Sequence, residues 1–158
     1  MKKYTSSLSS ICGGVLAFMF AACPALFIAI SGSPQTDVSG WAILLNNGGA
    51  FTGEKGFVFY RVTTIIMLAV AGLLVVWGLL TLLRNHGFFK KAKLNFTLVN
   101  NILLSVFALT ALLSLIAAYV LAGESGTGYT TGAGVGAWYT LAIACVGCTL
   151  SWIFARKD

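Results

Sequence analysis

Charge is what this sequence has least of. Only 9% of its 158 residues are charged, while 58% are hydrophobic; an average globular domain carries roughly 25% charge. Four runs, Ile11 to Ser31, Val62 to Leu83, Thr97 to Ala122 and Ala133 to Ala155, contain no Asp, Glu, Lys, Arg or His. An ionisable side chain inside a membrane span costs at least ~2.5 kcal/mol and marks a proton, ion or catalytic pathway. Its absence from all four runs argues against proton-coupled transport, metal transport and acid–base hydrolysis. The single histidine, His86, falls in a basic loop, and the four carboxylates, Asp37, Glu54, Glu124 and Asp158, lie far apart in sequence. The glycine pairs open no strand–turn–helix unit, so neither a phosphate loop nor a dinucleotide fingerprint is present. No catalytic residue, metal site or cofactor is implied.

What remains is length without charge. Each run has about 20 or more residues, enough to cross a hydrocarbon core of ~30 Å at 1.5 Å per residue. None alternates apolar and polar residues as an outer-membrane barrel strand does. The expected fold is an all-α integral membrane protein, one four-transmembrane-helix bundle occupying residues 1–158. Its spans are 11–31, 62–83, 97–122 and 133–155, with an outer loop at 32–61 and a cytoplasmic loop at 84–96. The net charge of +6 is unevenly spread. Lys2, Lys3, Arg84, Lys90, Lys91, Lys93, Arg156 and Lys157 flank the spans on one side, and only Lys55 and Arg61 fall on the other. The positive-inside rule then puts both termini and the 84–96 loop in the cytoplasm. The basicity is a topology signal that also draws anionic headgroups at about 1 kcal/mol per residue. The lipid bilayer is the expected partner, and no soluble domain exists to present a face to nucleic acid.

The start, "MKKYTSSLSSICGGVLAFMFAAC", resembles a bacterial lipoprotein signal ending in Phe20-Ala21-Ala22-Cys23. Cleavage there would leave three spans and a lipid anchor. Phe20 stands where such signals carry an aliphatic residue, and the apolar run continues through "PALFIAIS" to span length, so an uncut first span is expected. The stretch points to a bacterial plasma membrane.

Small residues recur every fourth position. Gly13, Ala17, Ala21, Ala25 and Ala29 form such a ridge on the first span, echoed by Thr110, Ser114, Ala118 and Ala122, and by Gly136, Thr140, Ala144 and Cys148. These ridges let helix backbones approach closely, within the bundle or against a second protein. Pro24 is expected to kink the first helix. In the first outer loop, "WAILL" (Trp41 to Leu45) and "FVFY" (Phe57 to Tyr60) flank a turn-rich "NNGGAFTGEKG", which suggests a short β-hairpin or a Trp-anchored flap. The second, "GESGTGYTTGAG", reads as a flexible connector. The leading expectation is a non-enzymatic polytopic membrane subunit or scaffold. It would pack against a membrane protein partner, or itself as a homo-oligomer, through Gly13, Ala17, Ala21, Ala25, Ala29, Trp41, Phe57 and Tyr60.

The remaining chemical candidates are Cys145 and Cys148, one turn apart on the last helix, with Cys23 expected at a similar depth. A four-helix membrane protein with Cys-x-x-Cys in its last helix resembles the vitamin K epoxide reductases and the bacterial disulfide-generating quinone reductases. That resemblance implies electron exchange between Cys145, Cys148 and a quinone, hence a membrane thiol–disulfide oxidoreductase. The second cysteine pair those families carry in an outer loop has no counterpart here, and a thiol in hydrocarbon is inert. Packing as small apolar residues is the plainer use. In layout the chain also resembles claudin-like tetraspan proteins, with cytoplasmic termini and a larger first outer loop. The paired cysteines and Trp-Gly-Leu-Trp motif of that loop are missing. A third reading is a small-molecule or lipid conduit lined by Thr63, Thr64, Asn100, Asn101, Thr110 and Ser114.

Overall fold

Where the first apolar run stops being a helix sets the architecture. The computed structural model describes residues 2–30, 35–46, 55–88, 95–124 and 129–155. Helix α1 covers Lys2–Phe20 and gives way to strand β1 (Pro24–Ile30). Then come strand β2 (Thr36–Ser39), a short helix α2 (Gly40–Leu44), the long helices α3 (Lys55–Asn85) and α4 (Phe96–Glu124), strand β3 (Tyr129–Ala133) and helix α5 (Val135–Ala155). Helices α3, α4 and α5 are long and apolar enough to cross a membrane, whereas the apolar stretch of α1, Ser7–Phe20, is shorter.

The helices pack as a ring in which α1 touches α3 and α5, and α4 touches α3 and α5. Each turns a face with alternating three- and four-residue spacing inward. On α3 this face is Tyr60, Thr64, Met67, Ala71, Leu74, Gly78 and Thr81; on α4 it is Asn100, Leu104, Phe107, Ala111, Ser114, Ala118 and Leu121. On α1 it is Ser7, Ser10, Gly14 and Ala17, continued by Ala21 in the turn just past its end. That spacing is the seam of a bundle with shallow crossing angles. The opposite faces of α3 and α4 carry exposed Val, Ile and Leu, such as Ile66, Leu73, Val76, Ile102 and Leu109. Such side chains suit a hydrocarbon surround, where leaving lipid brings no hydrophobic gain.

The expected helix over 11–31 is corrected by Pro24. Proline has no N–H to donate, and its ring collides with the carbonyl four residues back, here Phe20. It ends the helix instead of kinking it: Ala22 and Cys23 bond to Met19 and Phe20 in a closing turn, and the chain extends. Leu26 and Ile28 point inward and are buried, while Phe27 and Ala29 face the other way and are half-exposed. Strand β1 is the middle strand of an antiparallel sheet of order β2-β1-β3. In register, Ile28 pairs with Thr36 on one side and Thr131 on the other. The "PALFIAI" run is apolar because it forms the centre of this sheet, so Ala25 and Ala29 stand on a strand and do not continue the α1 ridge.

Three further expectations change. "WAILL" is helical: Ser39 caps α2, its hydroxyl accepting from the Ala42 N–H at 3.2 Å. Phe57 to Tyr60 open α3, and the second loop supplies β3. The turn-rich 47–54 segment lies outside the described residues. The sheet rests on the first turns of α3 and the last turns of α4, where Leu26, Ile28, Val38, Ile43 and Ala133 meet Phe57, Tyr60, Leu115, Ala118 and Leu121. A second core below it joins Ala17, Ala21, Leu68, Ala71, Leu74, Leu104, Phe107 and Ala144.

Close contact between α1 and α3 requires glycine on both. A Cβ on Gly14 would lie 2.6 Å from the Ala71 carbonyl oxygen, and one on Gly78 would lie 3.0 Å from that of Ser7, whereas one on Gly13 would meet nothing within 4 Å. Gly14→Ala is therefore expected to destabilise the protein by about 1–3 kcal/mol and Gly13→Ala to leave it unchanged. Thermal unfolding in detergent reads both; equal effects would contradict this packing.

Candidate functional site

The buried polar side chains separate into two layers. Nearer the chain termini, Asn100 and Asn101 sit side by side on α4, and the 100° step between consecutive helical residues aims them at different neighbours. The Ser10 hydroxyl of α1 donates to Asn100 Oδ1 at 2.7 Å, and the Ser151 hydroxyl of α5 donates to Asn101 Oδ1. One dipeptide thereby ties α4 to α5 beside it and to α1 across the ring. Ser105 Oγ donates to the Asn101 carbonyl at 2.9 Å, accepts from Trp152 Nε1 at 3.1 Å and lies 3.5 Å from Cys148 Sγ. Trp77 stacks on Phe96, whose other neighbour is the Arg84 guanidinium, 4.4 Å from the ring centroid. Ser7 Oγ is buried with no hydrogen-bond partner among the described residues.

Nearer the sheet, Tyr60 and Thr64 of α3, Ser114 of α4 and Thr140 of α5 surround a cavity of about 20 Å³. Tyr60 donates to the Ala25 carbonyl at 3.2 Å, and Thr64 donates to the Tyr60 carbonyl at 2.8 Å and lies 3.3 Å from Ser114 Oγ. The space holds one water at most, and the hydroxyls around it can bond one. Between the layers Leu74, Leu104, Phe107 and Ala111 are packed without exposure.

This placement sorts the residues singled out by sequence. Ala17 and Ala21 face the bundle interior, Ala25 is buried on β1 and Ala29 is half-buried there. Phe57 and Tyr60 are each 1% exposed and serve as the seat of the sheet. Gly13 faces a groove between α1 and α5. Of the conduit residues, Thr64 and Ser114 meet in the upper layer and Asn100 and Asn101 belong to the lower. Thr63 and Thr110 bond back to carbonyls of their own helices. Cys145 is exposed on α5 and Cys148 faces Ser105; all four cysteines are free. Cys23 is not at their depth, because it lies beyond α1 against Gly136, about 13 Å along α5 from Cys145 at 1.5 Å per residue. Among the described residues no three His, Cys, Asp or Glu side chains gather at a metal-sized site.

At the surface, Trp41 is 37% exposed and stacks on Phe18 at 6.1 Å, beside Met19 at 63% and Leu45 at 75%. Helix α2 is held in three ways: by the Ser39 cap, by the Trp41 N–H donating to the Ala21 carbonyl at 3.0 Å, and by Arg61 Nε donating to the Leu44 carbonyl at 3.2 Å. A fixed platform thus presents apolar side chains outward where α1 meets the sheet. Sequence reasoning found Trp41 through interfacial tryptophan enrichment but missed Phe18, Met19 and Leu45, which a continuous 11–31 helix would have scattered. Comparison with family models, with curated proteins and with solved structures finds no match to this chain.

A double-mutant cycle over Asn101→Ala and Ser151→Ala should give a coupling energy of about 0.6–2 kcal/mol, the range of interhelical hydrogen bonds in membranes. Unfolding measured in detergent checks this; additive effects would show that the pair does not bond.

Proposed function

We propose that this chain is a non-catalytic, multi-pass membrane subunit that docks on a membrane protein partner through the corner formed by Phe18, Met19, Trp41 and Leu45. In this reading α1, which packs along α3 and α5, is the fourth span. The termini and the 84–96 loop face the cytoplasm at a plasma membrane, in keeping with the basic residues on that side. The observation that carries the proposal is the corner itself: a five-residue helix pinned to the turn after α1, to β2 and to α3 by separate hydrogen bonds that leaves Leu45 75% exposed. Aromatic anchors on a rigid support are what recognition surfaces use, since little order is lost on binding. Ala17, Ala21, Phe57 and Tyr60 then act indirectly, by building the platform.

Mild-detergent purification after cross-linking in the native membrane tests this. The wild-type chain should retain a stoichiometric partner or a second copy. Leu45→Glu should weaken that complex by about 2 kcal/mol or more, the scale of an interface hot spot, without changing helicity or membrane insertion. A wild-type chain that runs alone, or a complex indifferent to Leu45→Glu, would overturn the proposal.

A further inference from the structure

On the side of the ring away from the α3–α4 seam, α1 and α5 leave a laterally open apolar groove of about 340 Å³. Its walls include Cys12, Gly13 and Leu16 of α1 and Ile143, Val146 and Leu150 of α5. Gly13 leaves the floor empty, since a Cβ there would meet nothing within 4 Å. The groove runs from Ser9 to Leu16 on α1, about 10 Å by helical rise, so it is far shorter than the seam between two whole spans. Its Ser9 end is the one nearer the start of α1. Helix α1 begins with Lys2 and Lys3, about 10 Å below Ser9 at 1.5 Å per residue, and Arg156 and Lys157 follow α5 in sequence.

Apolar walls about 10 Å long on a helix whose first turn carries Lys2 and Lys3 match an amphiphile with an anionic head and a hydrocarbon tail. We infer that the α1–α5 groove is a binding site for one acyl chain of an anionic phospholipid whose phosphate lies at the Lys2–Lys3 end. A neutral lipid would fill the groove equally well but forgo the attraction, which is worth roughly fivefold in affinity for each lysine near the surface. A second copy of the chain would need a longer contact, since stable interfaces bury about 800 Å² per partner. The site lies apart from the α2 corner and does not depend on what docks there.

The test is native mass spectrometry of the full chain, delipidated in detergent and titrated with phosphatidylglycerol or with phosphatidylcholine of the same acyl chains. The wild-type protein should retain phosphatidylglycerol at about 25-fold lower concentration than phosphatidylcholine. Gly13→Leu, which fills the groove, should weaken phosphatidylglycerol binding about tenfold at an unchanged unfolding midpoint, and Val146→Phe on the opposite wall should do the same. Lys2→Gln with Lys3→Gln should bring phosphatidylglycerol down to the phosphatidylcholine level while leaving phosphatidylcholine binding intact. Equal wild-type binding of the two lipids would overturn the site, as would phosphatidylglycerol binding that survives both groove-filling variants. A dimer peak that Gly13→Leu abolishes while lipid binding stays the same would assign the groove to a second copy and also overturn it.

Discussion

The backbone carbonyls of the turn and strand that follow α1 are the fixed points of the sheet end of this protein. Buried backbone acceptors must find donors, and here other elements supply them. The Ala21 carbonyl takes the Trp41 N–H and so places α2; the Ala25 carbonyl takes both the Gly134 N–H at 2.8 Å and the Tyr60 hydroxyl. Gly134 and Gly136 sit so near the Phe20 and Pro24 carbonyls that a side chain on either would collide with backbone. Five residues, Ala21 to Ala25, thereby fasten α2, α3 and the β3–α5 junction at one place. The sheet, its core and the exposed corner of α2 follow from that junction.

Below the junction the bundle is held by a different means. Apolar side chains gain little by leaving lipid for protein, so shape and interhelical hydrogen bonds carry the association. Glycines bring α1 onto α3, and the Asn100–Asn101 pair bonds to one serine on α1 and one on α5. A polar layer of this kind fixes axial register among α1, α4 and α5, because sliding one of them past the others by one turn would pull an amide away from its serine in the interior. The second layer, around Tyr60, Thr64, Ser114 and Thr140, lies directly beneath the sheet and couples the two halves through the Tyr60 bond to Ala25.

Much of the helical content was legible from charge-free length alone: three of the four expected spans correspond to helices suited to crossing a membrane. The fourth was misread for a physical reason. A short apolar run after a proline fits a buried strand as well as a buried helix, and in "PALFIAIS" what decides is the pairing with Thr36–Ser39 and Tyr129–Ala133, residues that carry little hydrophobic signal of their own. The period-four ridge was a partial guide. It identified Ala17 and Ala21, but the true inward face steps by three and four through Ser7, Ser10 and Gly14, which leaves Gly13 facing the α1–α5 groove. Phe57 and Tyr60 looked interfacial because aromatic residues belong both at membrane surfaces and in cores, and only the position of the sheet separates the two.

The account stands or falls on whether residues 24–30 form the central strand. Ala29 and Thr130 are cross-strand partners and neither is fully buried, so the measurement is oxidative cross-linking of Ala29→Cys with Thr130→Cys. The background would be a chain whose four native cysteines are replaced by serine. A disulfide forming rapidly under mild oxidation, and absent when Ala29→Cys is combined with a cysteine at Val135 instead, is the predicted result. No bond between positions 29 and 130 in the folded, inserted protein would mean that α1 continues past Pro24, and the sheet, the junction and the α2 corner would all have to be abandoned.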